Sequence, residues 1–176
     1  MLRPAEDRDL DAIREWRNQD ANREVSIQRH TISPEEHQAW WQRVQADPSR
    51  RCLVFEYDDR PLGVVNFFDL DPGDASGSWG FFLDHETTTS EGTSMMAWMQ
   101  IMREATDYAF DEDPAGLGLQ ELRAEVRPEN EAVRMMNRRF RFTEGEPYET
   151  EGESGPITTI PIKLRREDRR TRKARA

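Results

Sequence analysis

The run from Ser78 to Phe110 holds the residues whose types and order best suit chemistry. An apolar segment, Trp79-Gly80-Phe81-Phe82-Leu83, gives way to a polar stretch from Asp84 to Glu91. Gly92, Thr93 and Ser94 follow, and then a long amphipathic run to Phe110. The order reads as strand, loop and helix. The first N–H groups of a helix have no partner within it, and the peptide dipoles make that end attractive to anions. Small residues there let a phosphate approach the backbone. The run therefore predicts a seat for a pyrophosphate-bearing cofactor, with an ordinary Ser/Thr-capped helix as the plainer alternative.

The elements that would hold this seat follow from local signals. Met1-Leu2-Arg3 reads as a short strand. Asp9 can cap a helix with Leu10, Ile13 and Trp16 at helical spacing. Ser33-Pro34-Glu35-Glu36 is a helix start, with Ser as N-cap, Pro at the first position and Glu at the third. That helix carries His37, Trp40, Trp41 and Val44, and Asp47-Pro48-Ser49 ends it. Strands over 51–57 and 62–70 are joined by Asp58-Asp59-Arg60-Pro61, and a turn at 71–74 leads into a third strand over 76–83. The helix from Thr93 to Phe110 sets Met95, Met96, Met99, Met102, Ala105, Tyr108 and Ala109 on one apolar face, read as core filler. A loop over 113–118, a strand over 120–126, a helix from Pro128-Glu129-Asn130 and a final strand pair over 148–164, turning near Gly152–Gly155, complete the order.

A chain of 176 residues is most simply one domain. The expected boundaries are 1–164 for the domain and 165–176 for a basic, flexible tail rich in Arg. The net charge of −10 argues against a nucleic-acid partner. No stretch has the length of a membrane span and the start lacks the apolar segment of a secretory signal, so a cytoplasmic protein is expected. The lone cysteine, Cys52, lies in an apolar run and reads as a buried strand thiol. No metal site is expected.

The element order and particular residues resemble the GCN5-related N-acetyltransferase (GNAT) superfamily over nearly the whole chain to Leu164. Trp16-Arg17-Asn18, Thr31-Ile32-Ser33-Pro34-Glu35-Glu36-His37, Leu62-Gly63-Val64, Trp79-Gly80-Phe81, Glu91-Gly92-Thr93 and Tyr108-Ala109-Phe110 look most like the enzymes that acetylate a 4-amino sugar nucleotide in pseudaminic acid biosynthesis. The resemblance implies an α/β (α+β) fold: a mixed, mostly antiparallel sheet of six to seven strands, helices on both faces, and a splayed wedge between strands four and five. Acetyl-CoA would enter that wedge. The backbone of Phe82 and Leu83 would bond its pantetheine arm, and Thr89, Glu91, Gly92, Thr93 and Ser94 would form the pyrophosphate loop. Here Thr89 stands where the family has Gln or Arg, Ser94 replaces a small apolar residue, and Glu91 puts a carboxylate beside the anion.

The same resemblance places a Tyr acid near the cofactor sulfur, seven residues after an Asn. In this chain Asn130 holds the first position and Asn137 the second, and an amide cannot act as a general acid. Asn137 is then left to hydrogen-bond the sulfur or the pantetheine, and Asn130 to serve the cofactor side or cap its helix. Three residues are candidates for the base, His37, His30 and Glu125, and His37 is the favoured one because the resemblance covers it. Arg17, Asn18, His30, His37, Trp41, Asn66 and Trp79 are the expected acceptor-binding residues. The implied reaction is acetyl transfer to the primary amine of a small molecule, an amino sugar or nucleotide-linked amino sugar, in a chain that can form a homodimer. Two other readings stand beside it: acetylation of a protein N-terminus, as in the ribosomal-protein enzymes, and a non-catalytic acyl-CoA-binding module.

Overall fold

The computed structural model describes residues 1–112, 114–152 and 155–170. Asp113, two residues of the expected Gly152–Gly155 turn and the end of the tail lie outside the described residues. Eight strands form one sheet: β1 (Leu2–Pro4), β2 (Arg51–Tyr57), β3 (Arg60–Asp71), β4 (Ser76–Leu83), β5 (Glu121–Val126), β6 (Thr143–Glu144), β7 (Tyr148–Gly152) and β8 (Gly155–Arg165). Their order is β1-β2-β3-β4-β5-β8-β6, with β7 also paired to β8. The helices are α1 (Leu10–Asn18), α2 (Asp20–Val25), α3 (Pro34–Ala46), α4 (His85–Ser90), α5 (Ser94–Phe110) and α6 (Glu131–Arg139).

The run Cys52-Leu53-Val54-Phe55 is buried throughout because both faces of β2 are covered. Cys52, Val54 and Val64 pack with Ile13, Trp16 and Trp41 from α1 and α3. Leu53, Phe55, Val65 and Phe67 pack with Ala97, Ile101, Ala105 and Ala109 from α5. The four α5 residues recur every fourth position, which defines the buried stripe. Met95 and Met96 fall off that stripe and are 62% and 60% exposed, so the methionine face expected over this helix is core only from its second turn onward.

Turn chemistry fixes the β2–β3 hairpin. Asp58 and Asp59 take φ values of 50° and 59°, the two-residue turn whose twist suits a hairpin. Ser33 caps α3 as expected, accepting a hydrogen bond from the Glu36 N–H at 3.1 Å, with Pro34 in the first turn. Asp9 does not cap α1 with its side chain. Its carboxylate is held instead by Arg3 at 2.7 and 2.8 Å and by the Glu6 N–H at 2.9 Å, which ties β1 to the first helix. The polar stretch 84–91 is not a loop throughout: Asp84 accepts from the Thr87 N–H at 3.1 Å and starts α4.

The sheet comes apart where a ligand would need it to. β4 and β5 run parallel and pair only at Ser76↔Glu121, Gly77↔Leu122 and Ser78↔Arg123. Beyond Ser78 the strands diverge, while β4 stays paired to β3 as far as Leu83 and β5 to β8 as far as Val126. At the chain's end, β8 extends through Arg165, a 3-10 turn covers Arg166–Asp168, and Arg169 pairs with Asp111 at 2.8 Å. Ion pairing holds the chain down at least to Arg169.

Candidate functional site

The wedge between β4 and β5 leaves the strand segment 79–83 without a β5 neighbour. An extended ligand with amide groups can add there as a strand does, through the backbone. Leu83 offers less than expected, because its carbonyl already accepts from Asn22 Nδ2 at 2.8 Å. Trp79 lies in the wedge with only 4% of its surface exposed. Its Nε1–H is buried and has no partner among the described residues. A buried indole N–H without an acceptor is costly, and a ligand carbonyl in the wedge would supply one.

At the mouth of the wedge, α4 ends, Gly92 turns the chain, and α5 begins. The Gly92 N–H donates to Thr89 O at 3.1 Å and the Thr93 N–H to Thr88 O at 2.9 Å. Gly92 has φ = 69°, and a Cβ there would meet nothing within 4 Å. Thr93 makes no side-chain cap to α5, and the first helical N–H with an intrahelical partner is that of Ala97, bonded to Thr93 O. The N–H groups of Ser94, Met95 and Met96 are left facing outward. Open space beside a left-handed glycine and an uncapped helix together form a cradle that fits a pyrophosphate. Thr89 is an exposed residue on the last turn of α4.

Glu91 does not oppose an anion there as its charge suggests. Arg60, at the start of β3, grips it at 2.8 and 2.7 Å, and this pairing holds the carboxyl below the usual range. The pair puts a neutralised ion couple on the rim of the cradle.

On the α1–α3 side of the sheet, register brings a second set of residues onto one face. Asn66 stands opposite Gly80, Phe68 opposite Ser78, Ser78 opposite Arg123, and Glu125 opposite Pro161. These residues line two adjoining cavities of about 680 and 700 Å³ that share Ile27, Phe68, Asp69 and Glu125. Asp69 sits at a bulge in β3 with φ = 51°. The second cavity adds a cationic wall of Arg17, Arg50 and Arg51 with the half-buried ring of Trp40. Near the wedge Arg123 and Lys163 are paired with Glu121, at 2.7 and 3.6 Å, which leaves Asp69 and Glu125 as the carboxylates both cavities share, while Arg17, Arg50 and Arg51 stand at the far end.

Several expected site residues lie elsewhere. His37 is buried, its ring is stacked on Trp40 at 4.9 Å, and it lines neither cavity. Burial pushes its pKa down, and its Nε2 is sealed without a partner among the described residues. A base must reach its substrate, so His37 is structural. His30 is exposed and pairs with Glu36 at 2.8 Å, outside both cavities. Trp41 is a core residue whose Nε1–H donates to Asp7 at 2.8 Å. Its neighbour Trp40 is the ring that faces the cavity, because adjacent helical positions point about 100° apart. Asn18 is spent on the fold. Its amide donates to Ile32 O at 2.9 Å and accepts from the Ile32 N–H at 2.8 Å, closing the α2–α3 segment onto α1. Asn130 caps α6 through the Val133 N–H. Asn137 is 4% exposed and lines neither cavity.

Arg17, Asn66, Trp79 and Glu125 do converge on the cavities. Sequence reasoning missed Asp69, Arg51, Trp40 and Tyr148. Tyr148 begins β7, is 41% exposed, and donates from its hydroxyl to Glu125. The bond keeps the proton on the phenol and pushes its pKa up. Nothing local marks this tyrosine, since its position depends on register across β8. Among the described residues no group of three or more His, Cys, Asp and Glu could hold a metal, and no helix is long and apolar enough to cross a membrane.

Comparison with known proteins agrees with this geometry. The model of the acetyltransferase (GNAT) domain family matches residues 1–143. The fold is similar to that of a spermidine N-acetyltransferase from Vibrio cholerae, solved with CoA and spermine, with a TM-score of 0.80 and 18% identity over 96% of each chain. It is also similar to an N-acetyltransferase from Staphylococcus aureus Mu50, with a TM-score of 0.66 and 17% identity over 94% of this chain and 98% of that one. No protein of curated function matches by sequence. A wedge in the sheet, a cradle at the mouth of α5 and a family match over most of its length agree: this chain belongs to the GNAT acetyltransferase family.

Proposed function

We propose that the domain is an acetyl-CoA-dependent N-acetyltransferase whose acceptor is the primary amine of a small molecule that also carries an anionic group, an amino sugar linked to a nucleotide. The observation that carries this reading is the polarity of the acceptor cleft. Asp69 and Glu125 line it beside the wedge, while Arg17, Arg51 and Trp40 line its far end. Carboxylates attract an ammonium group, guanidinium groups pair with phosphate, and an indole face suits a base or a sugar. Asn66, between the two ends, suits sugar hydroxyls.

The donor's arm would lie along residues 79–83 and its pyrophosphate against the Ser94–Met96 amides. Glu125 takes a proton from the acceptor ammonium. The freed amine attacks the thioester carbonyl, a C–N bond forms, and collapse of the adduct breaks the C–S bond. The departing thiolate is a good leaving group, since a simple thiol has a pKa of about 8.5. With Asn at position 137 the second proton of the attacking nitrogen passes through water to the thiolate, leaving the neutral amide and CoA thiol. Glu125 meets the first demand on a base, which is access to the cleft.

A second reading has its own support. Four carboxylates line the first cavity; Glu121 is offset by Arg123 and Lys163 and Glu144 by Arg134, while Asp69 and Glu125 would suit the ammonium groups of a polyamine, and the Vibrio cholerae relative acts on spermidine. Release of CoA measured with a nucleotide-linked amino sugar, spermidine and a basic peptide separates the readings. Turnover confined to the sugar supports the proposal, turnover of spermidine alone replaces it, and turnover of the peptide alone points to protein N-termini. Binding of acetyl-CoA without release on any amine indicates a non-catalytic module. With the sugar as substrate, Arg17→Ala raises the acceptor KM and leaves that for acetyl-CoA unchanged. Equal loss for both would sink the assignment.

A further inference from the structure

The base needs an orientation as well as a position, and one residue stands apart as able to give it. β6 and β7 follow the same edge of β8 as one interrupted strand. Thr143 pairs with Lys163, Glu144 with Ile162, the Gly145 N–H donates to Pro161 O, and Tyr148 pairs with Thr159. The break at 145–147 shifts the register by one residue, which reverses the face that every later side chain takes. Thr159 and Pro161 are two apart on β8 and share a face, and Glu125 on β5 stands opposite Pro161. The shift therefore puts Tyr148 on the cleft face with Glu125. Two strand spacings, about 10 Å, separate β5 from β7. A tyrosine and a glutamate together span that gap, and the hydroxyl donates to Glu125 Oε1 over the top of β8.

We infer that Tyr148 is the positioning residue of the transfer: it fixes one oxygen of Glu125 and leaves the other turned to the acceptor amine. This rests on the acetyltransferase reading above and adds to it. An exposed glutamate on a strand has several rotamers of similar energy, and only some of them face the wedge. A donor on Oε1 selects among them. The phenol is suited to the task because the carboxylate holds its proton in place, so it remains a donor well above neutral pH. The hydroxyl thus does its work through the base, while Asn137 occupies the helical position at which the related enzymes have their own tyrosine.

The test is steady-state CoA release by the full chain carrying Tyr148→Phe, with whichever amine the wild type acetylates and with an aminooxy analogue of that amine. The aminooxy group is neutral at pH 7 and needs no base before it attacks. With the amine, kcat falls about tenfold, part of the roughly 100-fold or more that a placed base contributes. The KM for acetyl-CoA holds, which also shows that the variant is folded. The aminooxy rate is unchanged. In a Glu125→Gln background, Tyr148→Phe adds no further loss, because the two act as a unit. Equal loss on both acceptors, or fully additive losses in the double variant, overturns the inference. A wild type that releases no CoA with any amine overturns the acetyltransferase reading instead.

Discussion

Gly92 offers a direct test of the cradle because the fold contains its own control. Gly92 has φ = 69° and Gly118 has φ = 65°, and at both positions an added Cβ meets nothing within 4 Å. Gly118 lies in the connection between α5 and β5, at the end of the sheet where β4 and β5 are still paired. An L-residue in this left-handed region costs about 1–2 kcal/mol. Alanine returns about 0.4–1 kcal/mol by narrowing the unfolded ensemble. Each Gly→Ala variant should therefore lose roughly 1 kcal/mol, a drop of about 2–4 °C in Tm for a chain of this size. The strain is matched, but the methyl group is not. At Gly92 it projects into the space the pyrophosphate would fill, and at Gly118 it projects into solvent. Initial-rate kinetics should show the acetyl-CoA KM of Gly92→Ala raised about tenfold, equivalent to about 1.4 kcal/mol of lost binding, with that of Gly118→Ala unchanged. If both variants lose stability alike and neither shifts the KM, the donor's phosphates do not sit at Gly92 and the cradle argument fails.

The Arg60–Glu91 couple makes a second test: Arg60→Ala bares a carboxylate beside the pyrophosphate and should raise the acetyl-CoA KM several-fold, more at low salt. Glu91→Gln should leave that KM unchanged or lower it, and the opposite order would show that Glu91 points away from the donor. For His37 the folded pKa lies below its unfolded value, so the unfolded chain binds more protons and stability falls as pH drops through about 6.5. Denaturation midpoints at about pH 5.5 and 7.5 should differ less in His37→Gln than in the wild type, with kcat at neutral pH kept. A loss of about 100-fold in kcat would restore His37 to the chemistry.

How far the sequence can be read depends on the range of the interaction concerned. Ser33-Pro34-Glu35-Glu36 and Asp58-Asp59 act within a few residues, and their helix start and hairpin turn were legible. The split at Ser78 was not a matter of local pattern. It came from resemblance, since nothing between Trp79 and Leu83 marks where pairing with β5 stops. The short helix at 85–90 was hidden by three consecutive threonines, which favour strands intrinsically and are overruled here by the Asp84 cap. Trp41, expected in the pocket, is core and Trp40 faces the cavity, because a one-residue step decides which ring is buried. Asn18 looked like a binding residue because a side-chain amide pairs equally well with a ligand or with the Ile32 backbone. Tyr148 and Asp69 lie far apart in sequence, and only pairing across β3, β5 and β8 brings both to the cleft.

The three residue pairs that join β4 to β5 also divide the sheet's hydrogen bonding into two parts, which the core beneath α5 holds together. One part carries β1 to β4 and the other β5 to β8, and the sheet is continuous between them only along that short seam. A donor lying along 79–83 acts as a keystone, joining parts that the chain itself leaves ajar. Donor binding and resistance to opening are then one linked quantity, rising with the logarithm of donor concentration above its Kd. Amide hydrogen exchange in β4 beyond Ser78 should slow most on saturation with CoA, because that segment gains a neighbour on its open side while β2 and β3 already have theirs.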